Sequence, residues 1–508
     1  MSKTLTSLTS LSLLLILLGI NRGFDFSDEG LYALLAVPNQ ENLAGVFNYD
    51  LLFKLFYKFT GIEFGLIGLR LLRLFLYFLA AGALTFFWGN LTGTKKFSVN
   101  HFLIVALGLF AGYGFLPQTL SYNSLAVVFT CFWLAVISTQ KNNVLQYLFL
   151  GFMLACLAYI KITACLGLGL LTLLRMGYSK EIKVKYLLGL IIPYIMIELL
   201  MYMAIGDFAF SRMLDAKELI GSRSSYAILS LAKYELVGGF WLALAAIPFL
   251  IAGFLRHSFS KLKYILLLIG VFALSYLTYI TAITEEWNHV VLLVTVALFA
   301  YVAPRFRFTT ISRNQRFLFL TLLILPFVLH FGSNVYWLRL GIHFWVFWIL
   351  AILFVFDKIQ LKGKKVINAG VGALSFLLVL NGIWIHPFEQ EPLWNATEEW
   401  NYGNGNNILL SEKQIDLLNS IRPYAEDKNQ VLAVYRIPGI PYLLDKTSPK
   451  SPGFWDRSQI AYYFPQDFQT DLLIYYSLDS LPSFVQNGFS TEYAQLPDGN
   501  EIQILWRK

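Results

Sequence analysis

The chain reads FDFSDEGLYA from Phe24 to Ala33, directly after its first apolar segment. Three carboxylates, those of Asp25, Asp28 and Glu29, fall within this short stretch. The whole chain has only 31 acidic residues among 508, so such a density is unusual for it. Because a charge beside a bilayer is costly unless it is solvated or paired, the cluster is a candidate for function.

The composition indicates an integral membrane protein. Hydrophobic residues make up 57% of the chain and charged residues 14%, and the mean hydropathy is +0.60, whereas soluble domains are roughly a quarter charged. Apolar runs of roughly 17–25 residues recur between polar breaks, which predicts a polytopic α-helical membrane protein rather than a barrel. The net charge is +8, but most Lys and Arg residues lie in short loops between spans, so no nucleic-acid partner is expected. The three cysteines lie in or beside apolar segments and are interpreted as core residues.

About thirteen transmembrane helices are predicted. The first covers Ser7–Ile20, and because no small-x-small cleavage site follows it, a retained span is favoured over a signal peptide. The others cover residues 65–89, 101–115, 120–138, 144–160, 163–177, 186–204, 232–254, 264–282, 289–303, 317–330, 338–356 and 366–383.

The charge of the loops predicts the orientation. If the N-terminus lies in the cytoplasm, every cytoplasmic loop is basic, whereas the alternate loops are acidic, aromatic or nearly neutral apart from Lys161 in a tight turn. By the positive-inside rule, residues 1–383 then form a domain of the inner (plasma) membrane. Residues 384–508 form an external domain, which is periplasmic in a Gram-negative cell. Strand-length apolar runs bounded by polar residues predict that this domain is a small α/β fold.

The first external loop, residues 21–64, is predicted to hold two amphipathic helices that lie along the membrane surface. Ser27 or Asp28 is a good N-cap for the first, and the second covers Val46–Phe59. Acids at a helix N-terminus are stabilised by about 0.3–1 kcal/mol, which is a purely structural reason for Asp28 and Glu29. One cap does not need three carboxylates, however. At a helix N-terminus Asp28 is expected to be ionised at neutral pH.

A membrane helix, a short external link, an Asp-Glu pair and an amphipathic surface helix together resemble the GT-C superfamily of glycosyltransferases that use polyprenyl-linked sugars. The run from Ser27 to Ala33 is similar to the Asp-Glu-x-x-Tyr-Ala element of the bacterial aminoarabinose transferases that modify lipid A. Protein O-mannosyltransferases carry an Asp-Glu pair in the same loop. The resemblance covers the whole chain in architecture and implies an inverting transfer of a sugar from a polyprenyl-phosphate donor to an acceptor hydroxyl.

The resemblance implies that Asp28 is the catalytic carboxylate and that Glu29 assists it or contacts the acceptor. A leaving phosphate needs cations, and the external candidates are Lys161, Arg212, Arg223 and Arg339. For each of them the alternative is a cation that snorkels from a helix end. The candidates for binding the sugar or the acceptor are Asp25, Tyr32, Tyr122, Asn123, Glu285, Glu286, Trp287 and His289.

Several alternatives stay open. Many GT-C enzymes carry a further acid near Tyr122 and Asn123, where this chain has none, which argues against a two-acid metal site. A divalent cation is left open as a cofactor, without assigned ligands. The acceptor is a lipid, a glycan or a protein, and membrane lipids are further partners. The aromatic loops 438–444 and 448–456 either cover the active site or merely close their own fold. A multi-span transporter or lipid flippase is the alternative function, although the spans hold few ionisable groups.

Overall fold

The computed structural model describes residues 3–507 apart from 44, 95, 140–142, 218, 220–226, 256–259, 284–286, 361–362, 404 and 486–487. The helices of the first 383 residues are α1 (Lys3–Leu18), α2 (Asp28–Leu35), α3 (Asp50–Thr60), α4 (Gly65–Thr92), α5 (Val99–Phe110), α6 (Tyr122–Ile137), α7 (Val144–Ile160), α8 (Ile162–Tyr178), α9 (Val184–Ile205), α10 (Ala209–Asp215), α11 (Ile228–Phe254), α12 (Ser260–Ile283), α13 (Trp287–Val302), α14 (Arg313–His330), α15 (Trp337–Leu340), α16 (Trp345–Lys358) and α17 (Lys364–Val379). Short 3₁₀ segments extend α5 and α13 and join α15 to α16, and a π-helical turn, Leu380–Ile385, follows α17.

Each predicted span lies on one of these helices. Seven helices of the described residues are long and apolar enough to cross a membrane, in agreement with a polytopic helical membrane protein. The count of thirteen spans stays a prediction. α16 is the central helix, since every residue from Trp345 to Phe356 is buried. On the outside of the bundle, apolar side chains such as Met203 and Phe272 are largely exposed, as a lipid environment requires.

The start of α6 is fixed by a capping box. The hydroxyl of Ser121 accepts a hydrogen bond from the backbone N–H of Ser124, at 3.2 Å, and the hydroxyl of Ser124 accepts one from the N–H of Ser121, at 2.8 Å. This reciprocal pair satisfies two of the free donors at the helix N-terminus. It also sets Tyr122 and Asn123 on the first turn of α6, at the end of the bundle where the 21–64 loop lies.

The two helices of this loop differ in their surroundings. α3 exposes apolar side chains, among them Phe59, and so retains the character of an amphipathic surface helix. α2 differs from the predicted surface helix, because its residues Glu29 to Leu35 are all buried. The physical reason is that the C-terminal region covers it: the backbone N–H of Gly439 donates to the carbonyl of Phe26 at 2.7 Å. A sequence pattern does not reveal such a covering partner.

The C-terminal region forms two small sheets and three helices, in agreement with the predicted mixed fold. β1 (Glu398–Asn401) and β2 (Asn407–Leu410) pair antiparallel. The second sheet has the order β3 (Leu432–Val434), β4 (Leu472–Tyr476), β6 (Glu501–Trp506), β5 (Ser490–Gln495), in which β3 and β4 are parallel and the other pairs antiparallel. Its helices are α18 (Glu412–Ala425), α19 (Gly439–Leu443) and α20 (Arg457–Tyr463).

The C-terminal region shares a hydrophobic core with the first loop. Phe24 and Leu34 of the loop pack in one cluster with Ile440 and other residues of the C-terminal region. The side-chain amide of Gln40 both donates to the carbonyl of Ser448, at 2.7 Å, and accepts from its N–H, at 2.8 Å. These contacts hold the loop and the C-terminal region together, so residues of both regions can form one site.

Candidate active site

Asp25 caps the first turn of α2. One of its carboxylate oxygens accepts hydrogen bonds from the N–H of Ser27, at 2.8 Å, and from the Ser27 hydroxyl, at 2.9 Å. The other accepts from the N–H of Glu29, at 3.0 Å. Burial, then the negative charges of Glu389 and Asp28, raise the pKa of Asp25 well above its ordinary value. The sequence predicts Ser27 or Asp28 as the cap, but the side chain that caps the first turn in the structure is that of Asp25.

Glu29 holds the loop against the bundle. Its side chain is fully buried, and its two oxygens accept hydrogen bonds from Nε (2.9 Å) and Nη2 (2.8 Å) of Arg70 on α4. The guanidinium of Arg70 also donates to the backbone carbonyls of Ile20, Arg22 and Gly23. One buried ion pair thus ties the start of α2, the preceding link and α4 together. The carboxylate of Glu29 is committed to this pair.

Asp28 is only partly buried, and it lines a cavity of about 810 Å³. Burial, helped by the negative charge of Glu389 and opposed by the positive charge of Arg436, raises the pKa of Asp28 to about 7. The expectation that Asp28 is ionised at neutral pH is therefore corrected, because its pKa is raised to near that pH. The helix N-terminus stabilises the ionised form, but the loss of water around the carboxylate has the larger effect.

The large cavity combines positive charge, amides and aromatic rings. Two guanidinium groups line it, Arg339 of α15 and Arg436 of the C-terminal region. The remaining polar and aromatic lining includes Tyr122, Tyr234, Asn288, Asn334, Tyr336, Asn381 and Trp455. The carboxyl group of Asp28, whose pKa lies near 7, thus shares a cavity with groups that bind phosphate and hydroxyls.

A second, smaller cavity of about 110 Å³ adjoins the first. Asp28, Tyr122, Asn334 and Trp455 line both cavities. The rest of the smaller cavity is formed by apolar side chains of the loop together with polar residues such as Gln459. Asp28 therefore stands where two chambers meet.

Two of the predicted phosphate-binding cations have other partners. Lys161 is buried between α7 and α8, and its ammonium donates to the carbonyl of Leu329, at 2.6 Å, and to the hydroxyl of Ser333, at 3.0 Å. Arg212 donates to both carboxylate oxygens of Asp50, at 2.8 and 2.9 Å, and pairs with Asp207. Each cation thereby fixes a turn or a helix near the cavities.

Three of the remaining predicted residues line the large cavity. Arg339 and Tyr122 line the large cavity, as does Tyr32, whose ring packs edge-on against that of Tyr122 with centroids 6.1 Å apart. Asn123 is fully buried, and neither its amide nitrogen nor its oxygen has a hydrogen-bond partner. Trp287 and His289 flank Asn288 at the start of α13, and it is Asn288 that lines the cavity. Predictions for Arg223, Glu285 and Glu286 fall outside the described residues.

Glu389 and Arg436 also belong to the site, although neither was predicted from the sequence. Glu389 accepts a hydrogen bond from the hydroxyl of Ser27 at 2.6 Å. Both residues have positive φ angles, +48° and +58°. A positive φ angle at a Glu or Arg residue cannot be predicted from the sequence. The loop 448–456, which contains Trp455, lies against the site, so its aromatic, turn-rich composition was a usable signal.

The carboxylates of Asp25 and Glu29 are both engaged by protein donors. Both oxygens of Asp25 accept backbone or hydroxyl hydrogen bonds, and both oxygens of Glu29 face Arg70. Within the part of the chain that the structure describes, no group of three or more His, Cys, Asp or Glu side chains is arranged to hold a metal ion.

No family model matches the chain, and no curated protein matches it. Solved structures to which the fold is similar include an oligosaccharyltransferase and ArnT. One is the oligosaccharyltransferase of Archaeoglobus fulgidus in complex with Zn and sulfate, at 11% identity over 98% of this chain and 72% of that chain, with a TM-score of 0.49. The other is ArnT from Cupriavidus metallidurans bound to undecaprenyl phosphate, at 12% identity over 98% and 97%, with a TM-score of 0.42. At these scores the likeness carries no information on single residues, whose roles have to come from the geometry of the site.

Proposed function

We propose that this chain is an integral-membrane glycosyltransferase that moves a sugar from a polyprenyl-phosphate donor to an acceptor hydroxyl, by an inverting displacement with Asp28 as the catalytic carboxylate. The observation that carries the proposal is the position of Asp28, at the junction of two cavities and with a pKa of about 7. A general base is most effective when its pKa lies near the working pH.

The two cavities suit the two substrates of such a reaction. In a single displacement the nucleophile and the leaving group lie on opposite sides of the anomeric carbon. The larger cavity, with Arg339 and Arg436, suits the phosphate of the donor, because guanidinium groups bind phosphate through paired hydrogen bonds. The smaller cavity suits an acceptor that presents one hydroxyl to Asp28. Trp455, which lines both cavities, offers a ring face on which the sugar stacks.

The proposed reaction proceeds in one displacement. The acceptor oxygen attacks the anomeric carbon, the bond from that carbon to the phosphate oxygen breaks, and the hydroxyl proton passes to Asp28. The polyprenyl phosphate leaves with one additional negative charge, which Arg339 and Arg436 stabilise more strongly than they do the donor. Asp28 then releases its proton to solvent, which restores the base.

The other polar residues of this region support the centre in our proposal. Glu29, through Arg70, and Arg212, through Asp50, keep α2 and α3 in place and so position Asp28. Lys161 fixes the turn that ends at Ser333, next to Asn334 in the cavity wall. Such supporting contacts matter because small displacements of a catalytic group lower the rate strongly.

The proposed site lies on the external face of the plasma membrane, because the loops that carry the positive charge are those of the opposite, cytoplasmic face. Residues 1–383 then form the membrane domain, and residues 384–508 form an external region that closes the site from outside. The acceptor is a lipid, a glycan or a protein that reaches this face.

The proposal is tested with the purified chain and a set of radiolabelled polyprenyl-phosphate sugars. Wild type should release polyprenyl phosphate and label an acceptor from membrane extract, and Asp28→Asn should lose at least about 100-fold in turnover, the usual contribution of general-base catalysis. Asp416→Asn, an exposed substitution on α18 of the same chemical type, is the matched control and should keep wild-type turnover. Equal turnover of Asp28→Asn and wild type refutes the role of Asp28. Movement of intact donor across vesicles, without transfer, would support a flippase instead.

A further inference from the structure

The C-terminal region places two opposite charges beside Asp28. Glu389 and Arg436 line the large cavity together with Asp28. The hydroxyl of Ser27 lies 2.6 Å from Oε2 of Glu389 and 2.9 Å from Oδ1 of Asp25. A hydroxyl has one proton to donate, so both contacts are hydrogen bonds only when one of the two carboxyl groups is itself protonated. The hydroxyl of Ser27 therefore brings the carboxyl groups of Asp25 and Glu389 together, directly before Asp28 in the chain.

The backbone around these two residues is strained. Glu389 and Arg436 have φ angles of +48° and +58°, a region that residues other than glycine rarely adopt. Such conformations persist only where the surrounding structure imposes them, and they cluster at functional sites. At Arg436 the backbone is held by its N–H, which donates to the carbonyl of Phe454 at 2.9 Å. Two charged residues are thus held in unfavourable conformations at the wall that contains Asp28.

We propose that Glu389 and Arg436 are positioning residues through which the C-terminal region controls the protonation of Asp28: Glu389 favours the protonated form and Arg436 the ionised form. The consequence for transfer rests on the proposed function, whereas the electrostatic control itself does not. The external C-terminal region is in this view an integral part of the site, because it supplies the charges of Glu389 and Arg436 that act on Asp28. Among the described residues, the other titratable or charged groups that face Asp28 or line its cavity are Asp25, Tyr32, Tyr49, Tyr122, Tyr234, Tyr336, Arg339 and His386.

The electrostatics agree with this geometry. After burial, the negative charge of Glu389 is the next cause that raises the pKa of Asp28, and the positive charge of Arg436 lowers it. Removing one of the two charges must therefore move the titration of Asp28 in one direction, and removing the other must move it in the opposite direction. If the two residues had a purely structural role, the titration midpoint of Asp28 would not move in opposite directions in the two variants.

The experiment titrates Asp28 without any substrate. The full chain, purified in detergent, is treated at a series of pH values with a carbodiimide and an amine nucleophile, and modification of Asp28 is followed by mass spectrometry. Protonated carboxyl groups react, so the extent of labelling reports protonation. In Glu389→Gln the midpoint should fall by about one pH unit, and in Arg436→Gln it should rise by about one pH unit. Where wild type transfers sugar, the pH dependence of turnover should shift in the same two directions.

Matched controls exclude a general effect of charge or of misfolding. Glu391→Gln changes the same chemical group two residues away, where the carboxylate pairs with Lys413 at 2.6 Å, and should leave the midpoint unchanged. Glu389→Asp keeps the charge and should keep the midpoint close to that of wild type. Midpoints that stay fixed in both test variants, or that move in the same direction, overturn the proposal. If the midpoints move in opposite directions while wild type transfers no sugar, the proposed function fails and the electrostatic control stands.

Discussion

Replacing Gly30 by alanine tests whether the close contact of α2 with α19 holds the 21–64 loop in place. A Cβ atom at this position would lie 2.2 Å from the backbone nitrogen of Gly439 and 2.4 Å from its Cα. Backbone atoms cannot turn aside as a flexible side chain does, so one of the two helices must move. The hydrogen bond from the N–H of Gly439 to the carbonyl of Phe26, at 2.7 Å, would break or lengthen.

The magnitude follows from three contributions. Overpacking costs about 1–3 kcal/mol, and loss of the hydrogen bond costs about 1 kcal/mol. Alanine favours a helix over glycine by about 1 kcal/mol, which acts in the opposite direction. The net cost is about 1–3 kcal/mol, so the contact should open about 5- to 150-fold more often.

Amide hydrogen exchange measures this opening directly. In Gly30→Ala the amides of α19, that of Gly439 above all, should exchange faster by that factor, and turnover should fall because Asp28 loses its neighbours from the C-terminal region. Gly82→Ala in α4 is the matched control, since a Cβ there meets nothing within 4 Å. Wild-type exchange of α19 in Gly30→Ala would refute the reasoning, and it would mean that the contact does not hold the two parts together.

Three further predictions follow from the site. Turnover should rise as the pH increases through about 7, because only the ionised form of Asp28 accepts the proton, and initial rates across the neutral range test this. Arg70→Met should destabilise the fold by about 3–5 kcal/mol, because it leaves the buried carboxylate of Glu29 unpaired. The measurement is the midpoint temperature of thermal unfolding, which should fall. The double variant Glu29→Leu/Arg70→Met should recover much of the lost stability. A topology reporter fused after Lys508 should be active outside the cytoplasm, and a cytoplasmic signal would contradict the orientation inferred from the loops.

The helices were predictable because their signal is local. An apolar run of sufficient length is a property of consecutive residues, and the structure places a helix at each predicted span. The prediction for Asp28 also rests on a local signal, since its neighbours in sequence give both the helix start and the resemblance. The mixed C-terminal fold followed from short apolar runs, such as β4 (Leu472–Tyr476), between polar residues.

The assembly of the site was not predictable, because it depends on contacts between residues far apart in sequence. Glu389 and Arg436 belong to the C-terminal region, far from Asp28 in sequence, and line the same cavity because this region packs on α2. Lys161 and Arg212 were predicted to bind phosphate from their position and charge. In the structure both are buried and bind protein groups instead. Which partner a charge finds is decided by the tertiary structure, and a single sequence does not report it.

The acidic stretch shows how environment separates three similar groups. Asp25 lies over backbone N–H groups and serves as a cap, and Glu29 lies against the guanidinium of Arg70 and serves as an anchor. Asp28, between them, projects into the cavities, where burial works against ionisation and the charge of Arg436 works in its favour. A base needs both access to its proton and a pKa close to the working pH. In the proposed mechanism the cap and the anchor hold α2 in place through these contacts, so that two carboxylates of the acidic sequence position the third.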